Sequence, residues 1–188
     1  MNTSARPRGL GSLASMTIRK AHPMLPARSG DIVAFPASAR PRLVVIVDAE
    51  EEFDWSAPFS RANRSVKTIA AQFRAQRIFE KFNVTPAYAV DYPVASQEDG
   101  YLPLRELMQS GACSIGAQLH PWVTPPHEEL VCERNSFAGN LPADLERRKL
   151  EQLTEMIEQS FGGRPKLYRA GRYGAGAATA SILKGLGY

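Results

Sequence analysis

The chain has 188 residues, long enough for one domain with a real core, and its 44% hydrophobic and 22% charged residues are ordinary for a globular protein. Its net charge of +4 points toward nucleic acid only until the charge is located. The first forty residues hold Arg6, Arg8, Arg19, Lys20, Arg28 and Arg40 against Asp31 alone, a net of +5, so the remainder sits near −1 and offers no basic groove.

Residues 1–40 therefore read as a basic tail, rich in Ser, Pro, Gly, Ala and Arg without periodicity, and expected to be disordered. The tail lacks the apolar run of a signal peptide, and no later stretch approaches a membrane span. Its single aromatic, Phe35, offers little for bases to stack on. Neither a membrane nor a nucleic acid is expected as partner. Cys113 and Cys132 show neither metal-type nor disulfide-type spacing, which makes a reducing, cytoplasmic compartment the default.

The main domain is expected over residues 41–188. It opens on Leu43-Val44-Val45-Ile46-Val47, an aliphatic run that predicts a strand buried on both faces, as inside parallel sheets. The strand stops at Asp48, and Glu50, Glu51, Glu52 and Asp54 follow with Phe53 and Trp55. Ligands of parallel α/β folds bind beyond the carboxyl ends of strands, so acids there are candidates for chemistry. A bound cation would relieve their mutual repulsion. A solvated acidic loop explains Glu51 and Glu52 as well, but explains Asp48 and Glu50 less well, so close to the strand end.

A helix is predicted over 65–82, with Ala71, Ala75, Ile78, Phe79 and Phe82 as a core-facing stripe within about 100° at helical pitch. Val66, Ile69 and Phe73 lie off that arc. A second strand over 84–90 ends at Asp91, a short helix over 102–110 is closed by Gly111, and a third strand over 112–119 leads into His120-Pro121-Trp122-Val123-Thr124-Pro125-Pro126-His127. The connection to about residue 141 is too long for a turn and suggests a functional or covering loop. The clearest helix covers 142–161, with Leu145, Leu150, Leu153, Met156, Ile157 and Phe161 on one face and Gly162-Gly163 ending it. A fourth strand over 166–170 precedes Gly171-Arg172-Tyr173-Gly174 and an Ala-rich helix reaching Leu186. Strand followed by helix, four times over and without a sequence repeat, predicts an α/β fold around a parallel sheet of about four βα units. Such a sheet leaves an exposed edge, and Gly185-Leu186-Gly187-Tyr188 reads as a helix end leading toward one more strand.

Three strand ends carry the polar chemistry: Asp48 with Glu50, Gln118 with His120, and Arg169 with Arg172. In that order, and with His-Pro-Trp-x-x-Pro-Pro and Tyr-Arg-Ala-Gly-Arg-Tyr-Gly as the most specific parts, the chain from about Arg42 to Tyr188 resembles a polysaccharide deacetylase-like protein of the NodB-homology, carbohydrate-esterase type. The subgroup it is similar to spreads the first acidic pair as Asp-x-Glu. The resemblance implies a partial (β/α) barrel, of which this chain is the N-terminal part. It also implies hydrolysis of N- or O-acetyl groups on carbohydrate with a divalent metal, Zn²⁺ being the expected ion.

By position in that resemblance, Asp48 is the general base and Glu50 a metal ligand. The chemistry asks for such a pair, since a water activated by a metal needs a carboxylate to take its proton. The family's second motif has two metal-binding histidines four apart. Here Gln118 stands at the first position and Trp122 at the second, with His120 between them. An amide oxygen is a poor partner beside imidazole, so metal affinity should fall unless His120 takes the role. His120 reads equally as a packing histidine, and His127 is a fallback ligand beyond the Pro pair. In the third motif the resemblance makes Arg169 the residue that orients the base, with Arg172 an alternative. Tyr173 would offer its backbone N–H to the developing oxyanion. Trp55, Trp122, Arg172 and Tyr173 are the expected substrate-binding residues.

The family's later motifs, an acid on a further strand and a Leu-x-His, have no counterpart, and His22 lies in the tail. The truncated chain alone is thus expected to be inactive. Its partners are expected to be carbohydrate and either a missing C-terminal half or a second copy joined through sheet edges. The alternative reading is a non-catalytic, carbohydrate-binding relative, which Gln118 favours.

Overall fold

The computed structural model describes residues 34–188. The tail through residue 33, His22 included, lies outside them, and 34–45 carry no regular element beyond a turn. The architecture is a curled, half-barrel sheet of four parallel strands in the order β1-β2-β3-β4, covered by helices. The strands are β1 (Ile46–Ala49), β2 (Ala87–Val90), β3 (Ser114–Leu119) and β4 (Tyr168–Ala170). The helices are α1 (Phe73–Lys81), α2 (Tyr92–Ser96), α3 (Glu98–Gln109), α4 (Ala143–Phe161) and α5 (Thr179–Leu186). The four-unit α/β expectation is met.

Helix α4 is the main strut. Leu145, Leu150, Leu153, Ile157 and Phe161 are buried along one face, which packs on α2, β3 and α5. Each such side chain contributes about 1.5–3 kcal/mol when fully buried. Gly162, at φ 81°, ends the helix in the left-handed conformation that glycine adopts without a Cβ clash, and its N–H closes on the Glu158 carbonyl.

Two expectations need correction. The opening strand is not buried on both faces: Leu43 and Val44 are 79% and 72% exposed, and Ile46 is 42% exposed. The reason is its place in the sheet. Among the described residues β1 is an end strand, with β2 on one side only. The stripe assigned to 65–82 faces inward only in part, with Ala75 and Phe79 half-buried, Ala71, Ile78 and Phe82 exposed, and Val66, Ile69 and Gln76 buried instead. That segment begins as a 3₁₀ turn (Lys67–Ala71), and three residues per turn shift the phase of everything after it. Gln76 is tolerated inside because its amide donates to the Ala112 carbonyl (3.1 Å) and accepts from the Tyr88 hydroxyl (3.2 Å).

The connection after β3 is an ordered wall. Pro121, Trp122, Val123 and Thr124 are buried, and Lys149 of α4, itself fully buried, donates to the carbonyls of Pro121 (2.9 Å) and Thr124 and lies 3.0 Å from Glu129. Arg61 ties the far end through the Glu129 carbonyl at 2.6 Å. Burial pulls the Lys149 ammonium below its ordinary range against the opposing pull of Glu129. Two carbonyls and a carboxylate offset the cost of burying that charge.

Candidate functional site

All four strands deliver polar groups to the same end of the sheet. The ladder pairs Asp48 with Ala89, Ala89 with Gly116, and Gln118 with Arg169. Side chains two apart on a strand share a face, so Asp48, Ala89, Gly116, Gln118 and Arg169 share the inner one. The space over Gly116 is taken by the Leu167 side chain, and Arg169 reaches across one step further toward the strand ends. Its Nη2 lies 3.0 Å from Asp48 Oδ2, with the two side chains 22% and 33% exposed. Arg169 also lies over the ring of Tyr173, 4.7 Å from its centroid.

His120, just beyond β3, is 2% exposed and has a carboxylate at each ring nitrogen. Nδ1 lies 2.8 Å from Glu51 Oε2 and 3.7 Å from Asp91 Oδ2. Nε2 faces Glu50 Oε2 at 3.4 Å and the Gln118 amide nitrogen at 3.1 Å. The same amide nitrogen donates to Glu50 Oε2 at 2.7 Å. An amide NH₂ only donates, so His120 Nε2 is the acceptor and Nδ1 carries the proton donated to Glu51. That is the tautomer of a metal-binding imidazole, one N–H held by a carboxylate and the other nitrogen left as a donor of electrons.

Asp91 is the hinge of this network. Its Oδ1 accepts from the Val94 N–H (2.9 Å), capping α2, and its Oδ2 accepts from the Glu51 N–H (2.9 Å). Burial raises the Asp91 carboxyl well above the ordinary range, with Glu51 pushing the same way. Burial also pushes Glu51 up to about 7. Burial lowers the His120 imidazole, against the pull of Asp91, Glu50 and Asp48. Glu50 is raised, chiefly by desolvation. Glu51, Asp91 and His120 have ligand atoms within 4.8 Å of one another and form a candidate metal cluster among the described residues.

The structure thus brings Asp48, Glu50, His120 and Arg169 together at one strand-end face. His127 is exposed beyond the Pro125–Pro126 pair and outside this cluster. The solvated reading holds for Glu52, which accepts from Ser65 and Thr68, and fails for Glu51, which is 2% exposed beneath His120. Asp91 was missed as a site residue. It ends Ala87-Tyr88-Ala89-Val90 as Asp48 ends the first strand, and that shared position was the signal.

An aromatic wall runs outward from this cluster. Trp122 is 2% exposed and stacks on His120 with centroids 4.4 Å apart, so it stands behind the imidazole. It meets Phe59 at 4.8 Å and Phe53 at 5.8 Å, and Phe53 meets Trp55 edge-on at 4.9 Å. Trp55 is 59% exposed and Tyr173 84%. Arg172 and Tyr173 both hold positive φ, 52° and 56°, a strained pair of non-glycine residues. The turn carrying them closes on Gly171, where an added Cβ would meet the His120 ring at 2.6 Å and collide with the Leu119 carbonyl.

No protein-family model matches the chain, and no curated protein matches it. Among solved structures it is similar to a protein from Mycobacterium smegmatis described as a polysaccharide deacetylase, with a TM-score of 0.49 and 19% identity over 77% of this chain and 48% of that one. It is also similar to the peptidoglycan deacetylase PdaC from Bacillus subtilis, with a TM-score of 0.46 and 16% identity over 78% of this chain and 58% of that one. The chain spans about half the length of the solved structures it matches.

Proposed function

We propose that this chain carries the N-terminal part of a metal-dependent carbohydrate deacetylase, with Asp48 as general base. The observation that carries the reading is the convergence of two arrangements on one face. Arg169 holds the Asp48 carboxylate at 3.0 Å, and Glu51 holds His120 through Nδ1 with Nε2 directed at Glu50. Asp48 would take the proton of the attacking water, and Arg169 keeps its carboxylate aimed. Trp55, Arg172 and Tyr173 line the approach for a sugar, and Trp122 fixes the imidazole plane from behind.

The donor set fits a divalent cation such as Zn²⁺, with Glu50 and His120 Nε2 as its holders; the tighter group of Glu51, Asp91 and His120 Nδ1 lies on the opposite side of the ring and, in this reading, orients the imidazole. Gln118 fits the same role: its Oε1 is buried without a partner, and turning the amide over would place that oxygen where the NH₂ now faces Glu50 and His120. When bound, the ion supplies Lewis acidity toward the acyl carbonyl and the attacking water. The outer edges of β1 and β4 are where further strands, from a C-terminal segment or a second copy, would complete a barrel. The two thiols, Cys113 and Cys132, are free, and the cytoplasm is the proposed compartment. No helix among the described residues is long and apolar enough to cross a membrane.

Zn²⁺ or Co²⁺ titration of the purified chain, with Glu50→Ala and His120→Ala alongside, tests the site. Stoichiometric binding lost in both variants supports it. Release of acetate from acetylated oligosaccharides tests the activity. One observation favours a second, non-catalytic reading: the Gln118 amide already bridges Glu50 and His120 as a cation would. In that case the chain binds carbohydrate without binding metal or releasing acetate.

A further inference from the structure

Beside the aromatic wall lies an open cavity of about 480 Å³, lined by Trp55, Phe59, Cys132, Glu133 and Arg172 among others. Its volume falls in the range of small-ligand sites. The walls combine an exposed indole with a guanidinium, and the guanidinium is unusually well seated. The Arg172 carbon Cζ sits 4.1 Å from the Phe137 centroid, 5.0 Å from Phe59 and 5.8 Å from Trp55, and Nη1 donates to Ser136 Oγ. Three rings and a hydroxyl fix the plane of this side chain before anything binds, which removes much of the entropy that an arginine otherwise loses.

What the guanidinium lacks is a good anion. The carboxylate beside it is Glu133, at 3.9 Å from Nη2 and 78% exposed, a solvated and loosely held partner. Only 19% of the Arg172 side chain is exposed, so a charge-assisted pair formed there is less screened than one on the open surface. The backbone adds an independent observation. Arg172 is held at φ 52° and followed by Tyr173 at φ 56°, a conformation that non-glycine residues keep only where the surroundings impose it. Such strain gathers at ligand clamps.

We infer that this cleft binds a saccharide unit bearing a carboxylate, with Arg172 pairing the carboxylate and Trp55 packing on the face of the sugar ring. The inference rests on the carbohydrate reading above and narrows it to acidic sugars. A carboxylate fits better than a phosphate ester. Among the described residues Arg172 is the single cation lining the cleft, and Glu133 at its side would repel a second negative charge. The exposed indole presents an amphipathic, sequence-neutral surface suited to the C–H face of a pyranose.

The test is calorimetric titration of the full chain with a uronate-containing oligosaccharide and with the same oligosaccharide after carboxyl reduction. The expected result is a preference of about tenfold or more for the acidic form, weakened by added salt and abolished in Arg172→Gln. Glu133→Gln removes the competing carboxylate and should tighten the acidic ligand several-fold, which keeps the test open if Arg172→Gln fails to fold. Equal affinity for both oligosaccharides, or a preference that survives Arg172→Gln, overturns the carboxylate assignment and leaves a neutral-sugar cleft. Failure of the folded chain to bind either form overturns the carbohydrate reading itself, and this inference with it.

Discussion

Arg169 on β4 and Asp48 on β1 form an ion pair at 3.0 Å although two strands lie between them. In a flat sheet, three inter-strand steps would put their backbones about 14 Å apart. Curling of the sheet and the length of the arginine together close that gap. The pair therefore reports on the curvature of the whole half-barrel as well as on the proposed base. In a protein completed by the further strands, Arg169→Ala should cut acetate release by about 100-fold through misplacement of Asp48, and Asp48→Asn should cost about 10²–10⁴-fold as loss of a general base. The double variant should lose little more than Asp48→Asn alone. Additive losses would show that Arg169 serves the substrate instead of the base.

The buried acids make stability depend on pH in a defined direction. The Glu51 carboxyl is pushed up to about 7 from its ordinary 4.5 by burial, so the fold keeps a proton that the unfolded chain releases. The stability this contributes is complete below pH 4.5 and lost as pH rises to about 7. His120, lowered from 6.5 by burial, acts oppositely, because the unfolded chain takes up a proton below 6.5 that the fold refuses. The two oppose each other between 4.5 and 6.5, and the Glu51 loss remains above that as pH rises through about 7. With chelator present, the melting temperature should fall between about pH 6.5 and 7.5, and Glu51→Gln, which keeps an acceptor for His120, should flatten that fall.

Metal affinity separates the holders of an ion from the residues that aim them. His120→Ala and Glu50→Ala should abolish Zn²⁺ binding measured by competition with a chromophoric chelator. Glu51→Gln keeps the hydrogen bond and loses the charge behind the imidazole, and should weaken binding by about 10–100-fold. Gln118→His replaces an amide by imidazole and should tighten it. If Gln118→His binds no better than wild type, the amide is not facing the ion.

Lys149 is a structural prediction independent of activity. Lys149→Met would leave Glu129 buried without its cation, its side chain being otherwise without a hydrogen bond, and should cost about 3–5 kcal/mol in urea denaturation. Lys149→Met with Glu129→Gln should recover part of that loss. No recovery would mean that the carbonyls of Pro121 and Thr124 carry the contact.

How far the sequence foretold this molecule follows from which forces are local. Strand-then-helix order, the α4 stripe and the glycine stops at Gly111 and Gly162 are set by near neighbours, and they stand where periodicity put them. So do Asp48 and Glu50 at the end of β1 and Gln118 with His120 at the end of β3. What periodicity could not reveal is the partner of a face. The run Leu43–Val47 has the composition of a central strand yet lies at an edge. The 65–82 stripe turned partly outward because a 3₁₀ turn reset its phase. Glu51 reads as solvated beside Glu52, and only the fold shows that its side chain goes under His120 and beside Asp91, from another strand. The strand-end acids were visible one by one, but their network was not.

Trp122 and Trp55 are the two tryptophans of the chain, and they sit in very different places. One is shielded and stacked on the imidazole, and the other stands in the open cleft beside Arg172. The molecule therefore carries two intrinsic optical reporters. An event at His120 should alter the emission of the shielded indole, while occupancy of the cleft should blue-shift the exposed one and protect it from a soluble quencher. Trp55→Phe and Trp122→Phe would isolate the two signals, so that binding at each end of the aromatic wall could be followed without a label.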